Sequence, residues 1–322
     1  MNLSTEGCLV SNVAGAAMQR GLDAIGKPDA AVIVSENFAE TVQRLDPSSG
    51  LYDTDRGYGV VGGRTIHHDG HTTVVINHAV VSSASVAEIE RLLAHEGGHV
   101  LLHAQDEAAF VVQPDRSTSG LAWLRMIAEL AIEEFRVERR AAEAGYPVAG
   151  LATPSSMNDQ MFDFTCQVFE ALHAPESDDV FLFASKVLAA QHRLTISLGY
   201  LAGAVVDGGT LVSVDDLSTF GNQCWNELIA RSWQERLDLY RRIPAAGTSW
   251  GGSVRATHLR QAAEVERKLL RDTGFTIQSN DARPDSKWAF RRSGTDAMFE
   301  ARWQQLVAEG DLRDDANAAD AP

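Results

Sequence analysis

The stretch "LLAHEGGHVLLHA", residues 92–104, sets His95, Glu96, His99 and His103 into an otherwise apolar segment. Residues four apart on a helix lie one turn apart on the same face, so a helix here aims the His95 and His99 imidazoles at one point. That is half of a zinc site. Glu96 is rotated by about 100° from His95, where a carboxylate reaches a metal-activated water as general base instead of ligating. Upstream, Ser85 and Glu88 have the spacing of a capping box that opens this helix. Gly97 and Gly98 each cost a helix about 1 kcal/mol relative to alanine. Their missing side chains are read as room for a neighbouring strand or a substrate at the metal face, with a close helix–helix contact as the alternative.

A catalytic zinc site takes a third protein ligand and keeps a position for water. The place to look is "MIAELAIEEFRVERRAAEAG", residues 126–145, within a helix expected from Ser119 to Ala144 and closed by Gly145 and Pro147. Helical projection sets Glu134 and Glu138 inside the apolar stripe of Trp123, Leu124, Ile127, Ala131 and Phe135. Glu129, Glu133 and Glu143 fall on the opposite side with Arg136, Arg139 and Arg140, where ion pairs one turn apart and solvent explain them. A buried carboxylate needs a cation or hydrogen-bond donors to stay charged. Glu134 is therefore the favoured third ligand and Glu138, one turn on, the partner that orients a ligating histidine. The two roles can be exchanged, and an internal ion pair with Arg64 or Arg125 is the structural alternative. His103 lies about 12 Å along the helix from His95, too far to share its ion, and is given a packing or outer supporting role. His67, His68, His71 and His78 flank the neighbouring strands; any of them could stabilise a tetrahedral intermediate, although such histidines are more often bystanders.

The remaining chain bounds the reading. With 322 residues and 44% hydrophobic content it can bury a substantial core. A net charge of −16 and no lysine- or arginine-rich run argue against direct nucleic-acid binding. The N-terminus lacks a signal-peptide pattern and no apolar run reaches about 18 residues, so neither export nor a membrane partner is expected. Three widely spaced cysteines suit a reducing cytoplasm. "AAVIVS" (30–35), "YGVVGGRTIHH" (58–68) and "HTTVVINHAVV" (71–81) are expected strands, the last two forming a hairpin around Asp69 and Gly70. Beyond Gly150 the pattern is mainly helical. The expected organisation is α+β, with a site-bearing domain over residues 1–150, a helical domain of unassigned role over 151–305 and an acidic disordered tail over 306–322.

The strand "TTVVINHAVV", the helix "LLAHEGGHVLLH" and the downstream glutamate helix resemble the ImmA/IrrE-type metallopeptidase domain, a gluzincin-like group of intracellular zinc proteases. "EFRVE" (134–138) is similar to the E-x-x-x-D element of several gluzincin families, with glutamate in place of aspartate. The likeness covers residues 30–148. Gly97 stands where these proteins usually carry a bulky apolar residue, and no N-terminal helix-turn-helix is visible. The resemblance implies a zincin-like fold with Zn2+ on His95, His99 and Glu134, and Glu138 orienting a ligand. It also implies hydrolysis of a protein or peptide substrate, such as a regulatory protein, with Glu96 as general base. A peptide is expected to pair with the strand Thr72–Asn77 by strand addition. The alternative is a non-catalytic metal-binding or scaffold protein whose helical half binds a protein partner.

Overall fold

Residues 2–47, 61–68, 70–109, 114–115, 118–147, 153–206, 213–278 and 289–292 are described by a computed structural model. Their α+β architecture starts from one four-stranded sheet of order β1-β2-β4-β3. β1 (Asn2–Glu6), β2 (Ala31–Ser35) and β4 (His71–Asn77) are parallel, and β3 (Gly63–His68) closes one edge antiparallel to β4. The β3–β4 hairpin turns through Gly70 at φ +75°, a left-handed conformation that glycine adopts without strain. Asp69, the other half of the expected turn, lies outside the described residues.

Alternation along β2 and β4 turns Val32, Val34, Val74 and Ile76 onto one face. There they meet Met18 and Leu22 of α1 (Asn12–Ala24) and Ile89 and Leu93 of α4 (Val86–Ala104). The other face takes Phe38 and Val42 of α2 (Phe38–Leu45) against Ile66 and Val75. The strand expected to run to Val81 stops at Asn77. Its Oδ1 accepts the Ala79 N–H at 3.0 Å and starts a short helix, α3 (His78–Ser83), so a local cap overrides the β-branched composition of "HAVV". Ser85 and Glu88 form the expected capping box at the start of α4.

α4 runs between α1 and α5 (Gly120–Glu143), and glycines set both contacts. A Cβ on Gly97 would lie 2.3 Å from Ile25 Cδ1, and one on Gly98 would lie 2.9 Å from Val137 Cγ1. Both glycines therefore serve helix packing. This corrects the expectation that a strand or substrate occupies their space.

α5 also joins the larger core. Its Trp123, Leu124, Ile127 and Phe135 pack with residues of α6 (Pro154–His173), α7 (Val180–Val205), α8 (Thr219–Cys224), α9 (Ala230–Tyr240) and α10 (Gly252–Asp272). The segments before and after residue 150 thus share a core through α5. A two-stranded sheet, β5 (Phe275–Gln278) with β6 (Ala289–Arg292), follows α10. The face of α5 expected to meet solvent is largely covered. Arg136 is buried, pairs with Glu107 at 2.6 Å, donates to the Pro244 and Thr248 carbonyls and lies over Trp250; Glu129 pairs with Arg255 at 2.7 Å. Glu143 pairs with Arg139 and Arg140 as expected. Among the described residues no helix is long and apolar enough to cross a membrane. The acidic segment 306–322 lies outside the described residues.

The α1–α4 contact has one point without slack, because a Cβ on Gly21 would sit 2.2 Å from the Glu90 carbonyl oxygen. Gly21→Ala should gain about 1 kcal/mol of helix propensity and still lose about 1–3 kcal/mol net to overpacking, read as a lower urea midpoint. A midpoint at or above that of the parent would show that the helices are not in backbone contact there.

Candidate metal centre

α4 and α5 bring three ligand-type side chains together. His95 Nε2 and His99 Nε2 each lie 3.5 Å from Glu134 Oε2. Two ligands held about 2.0–2.1 Å from a tetrahedral zinc are separated by roughly 3.3 Å, so these spacings match atoms that share an ion. His95, His99 and Glu134 could therefore hold a metal ion.

The far side of each imidazole is fixed by a carboxylate of α5. His95 Nδ1 lies 2.8 Å from Glu138 Oε1, and His99 Nδ1 lies 2.7 Å from Glu133 Oε1. An ionised carboxylate only accepts hydrogen bonds, so each Nδ1 carries a proton, and in the neutral imidazole this leaves the Nε2 lone pair on the Glu134 side. This is the tautomer that metal ligation needs. Glu138 is held in turn by Arg91, whose Nη2 donates to both carboxylate oxygens at 2.7 and 2.8 Å. Glu133 also accepts the Ala109 backbone N–H, which ties the segment after α4 to the site.

Glu134 Oε2 is buried and has no hydrogen-bond partner among the described residues, an arrangement that leaves it open for a cation. Burial by itself raises the pKa of the Glu134 carboxyl; His99 and His95 beside it, with a hydrogen bond from Tyr200, instead hold it far below the usual carboxylate range. Burial likewise opposes charge on His99, but Glu134 and Glu133 raise its pKa well above that of an ordinary histidine. Both shifts have one meaning. The pocket demands positive charge, which a proton on His99 or a metal ion can supply.

Glu96 takes a different position from the ligands. It is 4% exposed, and Thr65 Oγ1 of β3 donates to its Oε2 at 2.8 Å. Gly63 makes room for it, since a Cβ there would lie 2.8 Å from Glu96 Oε1. His103 is not brought into the triad. Its ring stacks on His67 of β3 at 5.1 Å between centroids, and His67 Nδ1 contacts Thr72 Oγ1 at 2.9 Å.

Four participants were not singled out from sequence: Arg91, Thr65, Tyr200 and Glu133. The last corrects the helical projection, which gave Glu133 to the solvent face. The projection sees one helix, whereas the segment from Asp106 to Ala109 folds over that side of α5 and encloses Glu133 with His99. Of the two carboxylates it is Glu138 that pairs with an arginine, and the partner is Arg91 and not the Arg64 or Arg125 of the structural alternative.

The chain matches no protein-family model, no curated protein and no solved structure.

Because the folded pKa of His99 is raised, its pairing with Glu133 and Glu134 stabilises the metal-free protein below the ordinary histidine pKa. That contribution disappears as pH rises through the raised value. Metal uptake runs the other way, since the proton must leave first. Calorimetric zinc titration in two buffers of different ionisation enthalpy should show protons released at neutral pH and affinity rising with pH, and Glu133→Gln should weaken binding by about ten- to a hundredfold. Uptake without proton release would contradict this electrostatic picture.

Proposed function

We propose that the protein is a zinc-dependent metallopeptidase of the ImmA/IrrE-like, gluzincin-like type, acting inside the cell on a protein or peptide substrate. The observation that carries this reading is the division of labour on α4: His95 and His99 converge with Glu134, while Glu96 is held apart from them by Thr65 and Gly63. A purely structural metal site has no use for a buried carboxylate beside its first ligand.

A zinc ion bound here would supply Lewis acidity to a water molecule and to a substrate carbonyl. The chain's own groups do the rest. Glu96 accepts the proton of the attacking water at its carboxylate and delivers it to the departing amine. Thr65 holds Oε2 by its hydroxyl, which fixes the orientation of the carboxylate and leaves Oε1 beside Gly63 for the proton. Glu138 and Glu133 keep the two imidazoles in the ligating tautomer.

The edge on which an extended substrate could add differs from the one expected from sequence. β4, which contains Thr72–Asn77, is paired with β2 on one side and β3 on the other, so it has no edge to offer. Among the described residues β3 pairs only with β4, and Thr65 of β3 reaches Glu96. β3 is therefore the strand assigned to substrate pairing.

Glu96→Gln separates catalysis from metal binding. The zinc-loaded parent is expected to cleave members of a denatured-protein or peptide mixture; the variant should keep its zinc and lose about 10²–10⁴-fold in rate, measured by mass spectrometry of the products. Equal cleavage by parent and variant, or none by the zinc-loaded parent across such a mixture, would replace the peptidase reading with a metal-binding scaffold.

A further inference from the structure

The helical half of the chain reaches the centre at one residue. The hydroxyl of Tyr200, on α7, helps hold the Glu134 carboxyl below its usual pKa, and its ring lies 5.9 Å from the His95 ring at 37°. A single side chain thus bears on two of the three candidate ligands, His95 through its ring and Glu134 through its hydroxyl. Its place depends on a close helix crossing. A Cβ on Gly199 would lie 2.6 Å from the Ala131 carbonyl oxygen, and one on Gly203 would lie 2.8 Å from Glu138 Cβ. These glycines lie one turn apart and bracket Tyr200, so α7 approaches the α5 backbone on the turn that carries the phenol.

Resting on the metal reading above, we propose that Tyr200 is a positioning residue of the centre and that α7 completes the centre from the helical half. A carboxylate that ligates through one oxygen still rotates unless its other oxygen has a donor. Glu96, Glu133, Glu134 and Glu138 surround the site, and Arg91 already engages Glu138 in full. A second guanidinium or an ammonium beside Glu134 would compete electrostatically with the ion. A phenol avoids that conflict, because it donates a hydrogen bond without adding charge. Its ring also forms a wall beside His95 and limits rotation of that imidazole. The small residues of α7 therefore have a purpose beyond packing: they fix the distance from which the hydroxyl acts.

The test uses the full-length chain and its Tyr200→Phe variant, which keeps the ring beside His95 and removes only the hydroxyl. Three quantities are read: zinc affinity by competition with a chromophoric chelator, the visible absorption of the cobalt(II)-substituted protein, and the melting temperature without metal. The expected result is a zinc affinity lowered about tenfold, a changed cobalt spectrum and an unchanged metal-free melting temperature. Unchanged affinity together with an unchanged spectrum would overturn the role of Tyr200 while leaving the metal site intact. A loss of affinity matched by a drop in metal-free stability would make Tyr200 a packing residue and also overturn it. If the parent chain binds neither zinc nor cobalt, the metal reading fails first and this proposal fails with it.

Discussion

The site depends on the charge balance between two helices. α5 brings Glu133, Glu134 and Glu138 against the His95 and His99 face of α4, and all five side chains are largely removed from water. Three carboxylates in such a place are unfavourable unless positive charge and donors answer them. Arg91 answers Glu138, and the Nδ1 protons answer Glu138 and Glu133. Glu134 Oε2 is left facing the Nε2 atoms of both imidazoles, with no hydrogen-bond partner among the described residues. A divalent cation would resolve that imbalance, and the residue types and spacings are ones that would suit zinc.

Packing keeps this charged assembly in register. Gly21, Gly97 and Gly98 let α4 lie close to α1 and α5, and the sheet holds the opposite side of α4 through β3. α5 is the shared element, facing His95 and His99 on one side and the larger helical core on another. Whatever shifts α5 must disturb both. This makes the helical half part of the site's mechanical support, and Arg136 strengthens the link by binding Glu107 after α4 and the 244–248 segment before α10.

Much of the centre could be read before folding because its chemistry follows helical spacing. His95 and His99 at i and i+4, Glu134 and Glu138 in an apolar stripe, and the Ser85–Glu88 cap are local patterns, and each lies where its helix geometry puts it. The missed features are non-local. Glu133 becomes enclosed only when the segment after α4 returns over α5, and Tyr200 lies more than sixty residues beyond Glu134, on a helix whose crossing no single-helix projection reveals. The paired glycines in "GYLAG" (199–203) were the available clue to that close approach. The end of β4 was misjudged for the opposite reason, since the Asn77 cap is local but weaker in sequence than the β-branched run around it.

The central claim is that His95, His99 and Glu134 hold one ion. X-ray absorption at the zinc edge of the zinc-loaded chain tests it most directly. The account predicts about two imidazole ligands and oxygen scatterers, all at roughly 2.0–2.2 Å, with the carboxylate contribution altered in Glu134→Gln. Sulfur scatterers near 2.3 Å, or a shell without imidazole, would place the ion elsewhere and contradict it.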